Sequence, residues 1–255
     1  MLLFLLMLAA ITGLVVGSFL NVCIYRLPRG ESLNWPSSHC TSCERPLSWY
    51  ENVPVVSWLV LRGRCRTCGA AISPMYPSVE LATALVFAGG VLVYGLTPLM
   101  VVRVAFACAL IVLFAIDLRH RILPNAITLP GIVIGFAASF FLPPGWVQSL
   151  IGILAGGGVL LALSEIYYRT RGREGLGMGD VKMLAMVGAF LGWPQMLLTL
   201  ILASFSGSAI GLWVIATRKG GMQAALPFGT FLAIGAVIAA VAGDAILAWY
   251  ISLYQ

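Results

Sequence analysis

Eight apolar runs constrain this chain more than any other feature. They lie near residues 2–24, 79–96, 98–116, 126–142, 146–168, 183–193, 195–216 and 229–251. A helix needs about 20 predominantly apolar residues to cross a bilayer. Only helices and closed barrels satisfy their own backbone there. The chain therefore reads as an all-α polytopic membrane protein with about eight transmembrane helices. Composition agrees: 60% of the 255 residues are hydrophobic and 9% charged, whereas a soluble domain carries about a quarter charged.

The basic residues order these runs across the membrane. The first run lacks a basic leader, and Arg26 and Arg29 follow it instead of preceding it, so it reads as an uncleaved helix with its N-terminus outside. Inner loops would then be 25–78, 117–125, 169–182 and 217–228, and they hold 14 of the 15 Lys and Arg residues; Arg103 falls near an outer end. That asymmetry is the positive-inside pattern. It places both termini outside and makes the lipid bilayer, not nucleic acid, the partner of the net +6 charge. Three regions result: 1–25 as a first helix, 26–77 as a cytoplasmic insert, and 78–255 as a transmembrane core. The run at 183–193 is only about 16 Å long as a helix. It is expected to stop short or to re-enter, lining a wet cavity.

Two carboxylates stand at the edges of these runs. Gly175-Leu176-Gly177-Met178-Gly179-Asp180 is a glycine-rich turn ending in an acid where a run begins, and Asp117 ends the third run. The topology brings both to the same membrane face. An ionisable group at that depth is a functional candidate. The plainer alternatives are that Asp180 caps a helix, or that each acid answers a nearby base, Arg119 or Lys182. A close pair of carboxylates would share a proton and could divide acid and base work. Lys182 would bias that pair or contact lipid phosphate.

The insert carries Cys40-Thr41-Ser42-Cys43 and Cys65-Arg66-Thr67-Cys68, with 21 residues between the pairs. Two C-x-x-C pairs supply four thiolates for a tetrahedral Zn²⁺. The separation is slightly longer than in common zinc ribbons. Disulfides compete poorly in a reducing cytoplasm; iron or a redox pair are the other readings. His39 reads as a neighbour of the site, and Cys23 and Cys108 as core residues. A four-thiolate site is coordinatively closed, so its role would be to fold an insert with little core of its own.

Further motifs complete a pattern. They are Gly17-Ser18-Phe19-Leu20-Asn21-Val22 with Tyr25-Arg26-Leu27-Pro28, Leu61-Arg62-Gly63-Arg64-Cys65, and Tyr76-Pro77-Ser78-Val79-Glu80. Asp117 with Leu123-Pro124-Asn125, Gly177-Met178-Gly179-Asp180-Val181-Lys182 and Leu226-Pro227-Phe228-Gly229 follow in order. Together with the paired cysteines these resemble the bacterial type IV prepilin peptidases, aspartyl proteases of the glycine-x-glycine-aspartate type. The resemblance runs from about residue 13 to 235. Two positions depart from it: Asn125, where aspartate is frequent, and Met75, where arginine is frequent.

The resemblance implies a bifunctional inner-membrane enzyme. It would cleave the leader of type IV pilin-like or pseudopilin precursors at the cytoplasmic face, with Asp117 and Asp180 as the catalytic pair. It would then methylate the new N-terminal amine with S-adenosylmethionine. Gly177, Gly179, Lys182, Pro227 and Gly229 would shape the site or bind substrate. No G-x-G-x-x-G follows a strand pattern, which leaves no Rossmann cofactor site; the insert is the candidate for shaping the methyl-donor site, with Glu51, Asn52 and Pro54 as candidate residues. Glu80 and Glu165 are expected to pair with inner-loop arginines. Rival readings are a membrane scaffold with a zinc-ribbon docking module and a proton-coupled transporter. The transporter requires mid-membrane acids and an internal repeat, and neither pattern is present.

Overall fold

A computed structural model describes residues 1–172, 177–217 and 227–253. Gly175, Leu176 and Leu226, named above, and the loop bases Arg173, Arg218 and Lys219 lie outside the described residues. All elements within them are helical. Two compact units divide at Val112 and Leu113.

The first unit contains α1 (Leu2–Arg26), the insert with a one-turn α2 (Val56–Val60), α3 (Met75–Tyr94) and the first half of α4 (Pro98–His120). Along α1, Phe4, Met7, Leu8, Ile11, Val15 and Phe19 are exposed, a stripe at helical spacing suited to lipid. The opposite face packs on α3. A methyl group on Gly17 would sit 2.7 Å from the Glu80 Cα, so the two backbones approach where only glycine fits. At the end of α1, buried Arg26 donates to the carbonyls of Ser32, Leu33, Pro36 and Ser37. One side chain thereby fixes the entry to the insert.

The second unit contains the rest of α4, α5 (Asn125–Ala138), α6 (Trp146–Arg171), α7 (Met178–Leu191), α8 (Trp193–Thr217) and α9 (Phe228–Ser252). α7 is its centre, packed by α5, α6, α8 and α9. Every residue from Met183 to Leu191 is buried, as expected of a helix that is apolar all round. Gly152 of α6 and Gly188 of α7 each lie against the other's backbone carbonyl, and the Ser149 hydroxyl donates to the Ala189 carbonyl at 2.8 Å. Gly156 also meets the α7 backbone, at Leu184, whereas nothing lies near Gly158.

The eight expected segments all appear as helices, with one refinement of the span count. Among the described residues six helices are long and apolar enough to cross a membrane. α5 and α7 have 14 residues each, about 21 Å at 1.5 Å per residue. The short α7 is enclosed by protein, which removes the need to match lipid thickness. It also starts earlier than the run at 183–193, so Asp180 lies inside its first turn and not ahead of it. α5 stops before residue 142 because the Ser139 hydroxyl turns back to the Phe136 carbonyl at 2.6 Å. Pro143 and Pro144 then bar further helix.

Candidate functional site

Three helix ends meet in the second unit: the C-terminus of α4 and the N-termini of α7 and α9. Asp117, 4% exposed, comes from α4. Its Oδ2 accepts the Thr230 backbone N–H at 2.7 Å and the Thr230 hydroxyl at 3.0 Å. Thr230 is the third residue of α9, where backbone N–H groups have no partner within the helix. Asp117 thus caps α9 from another helix, with a charge that the helix dipole favours.

Asp180 is the third residue of α7, behind the cap position Gly177. Its carboxylate accepts from the Gly177 backbone, the reach-back that completes half of a capping box. The capping alternative is therefore met by the same side chain that faces Asp117. The acids are close enough for the charge of Asp117 to act on Asp180.

Leu123 ties the two sides together. A methyl group on Gly179 would sit 2.9 Å from the Leu123 Cβ, and one on Gly229 would sit 2.9 Å from its Cδ1. The same methyl on Gly229 would lie 3.0 Å from Asp117 Oδ2. The two glycines hence leave room for one leucine and one carboxylate. Lys182 neither contacts the acids nor stands free: its Nζ donates to Asn125 Oδ1 at 2.9 Å. The asparagine departure leaves a neutral acceptor for that lysine. Pro227 precedes α9 in extended conformation, with ψ 94°, and so presents Gly229 and Thr230 to Asp117.

The insert gathers its four cysteines. The Sγ atoms of Cys40, Cys43, Cys65 and Cys68 all lie within 4.8 Å of one another, with Cys40 and Cys68 3.8 Å apart. Tetrahedral thiolates about 2.3 Å from zinc stand about 3.8 Å apart, so the set fits that ion. The two halves repeat one design. Cys40 N–H donates to Arg45 O and Glu44 N–H to Cys40 O; Cys65 N–H donates to Ala70 O and Gly69 N–H to Cys65 O. Backbone N–H groups of Cys43 and Ser42 hold the Cys40 thiol below its ordinary value. Those of Cys68 and Thr67 bring Cys65 down to about 6. Both effects favour the thiolate that a metal needs. His39 instead bonds the Ser37 carbonyl through Nδ1, and buried Cys23 and Cys108 stand outside the group.

Comparison with known proteins decides the family. Residues 11–94 match the bacterial peptidase A24 N-terminal domain, and residues 104–212 match the type IV leader peptidase family. A prepilin leader peptidase/N-methyltransferase of Pseudomonas putida is 36% identical over 94% of this chain and 92% of its own length. The enzyme of that name from Myxococcus xanthus is 41% identical over 83% of this chain and 64% of its own. That from Aeromonas salmonicida is 38% identical over 94% and 91%. The chain belongs to the type IV leader peptidase family. No solved structure matches it.

In this leader peptidase the methyl-donor candidates have other partners. Glu51 accepts Arg45 at 2.7 Å and the Ser48 N–H at 2.9 Å. The Arg45 guanidinium holds it below the usual carboxylate range. Asn52 is exposed and Pro54 half-buried. Glu165 pairs with Arg169 at 2.6 Å, as expected. Glu80 does not pair with an arginine: its Oε2 accepts the Val55 backbone N–H at 2.7 Å. The helix-bound Glu80 is met by a turn of the insert before any basic side chain reaches it. Thr230 is invisible in the sequence, since a threonine directly after a glycine carries no signal of its own. Leu123 has no sequence signal beyond its place in Leu123-Pro124-Asn125.

Proposed function

We propose that this leader peptidase cleaves the leader from type IV pilin-like precursors with Asp117 and Asp180, then methylates the new N-terminal amine. The observation that carries it is the meeting of the two acids at three helix ends, with Asp117 anchored on Thr230. Peptide hydrolysis without a metal needs a base to activate water and an acid to protonate the departing nitrogen. Two carboxylates sharing a proton do both, and they titrate as a pair. Asp117 is held by two donors, while half-buried Asp180 accepts from the Gly177 backbone. A water between them loses its proton to one carboxylate as it attacks the carbonyl. The other carboxylate gives its proton to the amine that leaves.

The basic-residue asymmetry orients this site toward the cytoplasm, where a precursor's basic leader meets its apolar helix. The bond is then reached without moving charge across the bilayer. Exposed Gly177 leaves backbone free for an extended substrate strand, Gly179 and Gly229 shape the site by admitting Leu123 and Asp117, and Lys182 fixes the 121–124 connection through Asn125. Cys40, Cys43, Cys65 and Cys68 hold a structural zinc that folds the insert. S-adenosylmethionine, when bound, supplies the activated methyl group.

Purified enzyme given a precursor and a labelled methyl donor is expected to yield a shortened product that carries the label. Shortening without label would leave only the peptidase. Gly229→Ala is expected to slow cleavage by about 10- to 100-fold, because the added methyl displaces Asp117 or Leu123 by a fraction of an ångström to about 1 Å. Initial rates by mass shift measure this, with unchanged rates opposing the placement of Asp117.

A further inference from the structure

The first unit buries a carboxylate with no counter-charge. Glu80, in the second turn of α3, is 7% exposed. It accepts the Val55 N–H and the Ser18 hydroxyl, both neutral donors. The ion pairs Arg45–Glu51 and Arg169–Glu165 do not include it. Burial of an unpaired charge is costly, and an ionisable group within a membrane helix marks a functional site by default.

Beside it lies an orphaned acceptor. Asn21 is 4% exposed; its Nδ2 donates to the Tyr76 carbonyl at 3.0 Å, and its Oδ1 is buried without a partner. Tyr76 and Glu80 stand one turn apart on α3, as do Gly17 and Asn21 on α1. Because Gly17 packs on Glu80 and Asn21 reaches Tyr76, the two residues Asn21 and Glu80 lie along one helix seam, a helical turn apart. The turn above is strained. Val56 N–H donates to Pro54 O at 2.6 Å, and Val55 has φ 61°, a value costly for a β-branched residue. Glu80 holds that turn by its N–H, and strain of this kind gathers at ligand clamps.

The two groups offer lone pairs and negative charge. The complement is a cation rich in N–H donors. We infer that Asn21 and Glu80 form a buried binding site for a primary ammonium group. A sulfonium has the charge without the donors and leaves Asn21 Oδ1 unpaired. This rests on the methyltransferase reading, whose reaction offers two such groups: the N-terminus released by cleavage and the amino-acid end of the methyl donor.

Binding to the full-length enzyme in detergent separates them. The probes are a mature-form peptide with a free amine and its N-acetylated twin, and S-adenosylmethionine and its des-amino analogue. One free-amine ligand is expected to bind about tenfold or more tightly than its blocked twin, the scale of a charge-assisted contact. The peptide pair showing that preference identifies the new N-terminus; the donor pair showing it identifies the methyl donor. Glu80→Gln keeps an acceptor for Val55 and is expected to abolish the preference, as is Asn21→Leu. Asn21→Asp, which retains an acceptor, is expected to preserve it. No preference in either pair, or a preference surviving both Glu80→Gln and Asn21→Leu, overturns the site and leaves water as the partner of Asn21. Cleavage and label transfer by the unaltered enzyme are followed in parallel; their absence defeats the peptidase–methyltransferase reading itself, whatever the binding shows.

Discussion

Asp117→Asn and Asp180→Asn are each expected to reduce leader cleavage by about a thousandfold, the scale of losing general acid–base catalysis. The substitutions should spare the fold. An asparagine oxygen at 117 still accepts the Thr230 N–H that Asp117 Oδ2 now takes at 2.7 Å, so α9 keeps its cap. At 180 the amide oxygen still reaches back to Gly177. What disappears is the shared proton. Single-turnover cleavage of a precursor, read by mass and compared at equal amounts of membrane-inserted enzyme, measures the effect. Near-normal turnover by either variant would end the two-acid mechanism.

The second large effect concerns the insert. Paired replacement Cys40→Ser with Cys65→Ser is expected to remove a metal present at about one zinc per chain. It should also make residues 26–77 sensitive to protease, because structural zinc contributes about 10–16 kcal/mol in small domains. The insert offers little to replace that. Its regular structure is two short 3₁₀ helices, Leu27–Arg29 and Trp49–Asn52, and the one-turn α2, and Trp49, Tyr50, Leu59 and Val60 are exposed. Elemental analysis with limited proteolysis measures both. Unaltered enzyme without zinc, or a doubly substituted chain that keeps it, would refute the assignment.

Much of this was legible in the residues because lipid imposes a simple rule. Apolar length and the side on which arginines fall were enough to order the helices and to put Asp117 and Asp180 at one face. The four cysteines were equally plain, since thiolate spacing has few other uses. Less legible were features set by neighbours. Glycines at 152 and 188 look alike in sequence to the one at 158, yet only the first two meet another backbone. The early end of α5 depends on the Ser139 hydroxyl turning inward. The partner of Glu80 is a backbone N–H supplied from 25 positions away, and no side-chain pattern announces a backbone donor. Thr230 is known as an anchor for Asp117 only once α4 and α9 are laid side by side.

The capping of α9 by Asp117 has a consequence for biosynthesis. Thr230 follows Asp117 by 113 positions, so a nascent chain holds its first acid before the donors that fix it have been made. The site is then completed only when α9 has entered the bilayer. Partly translated chains would stay inert toward neighbouring precursors at the translocon.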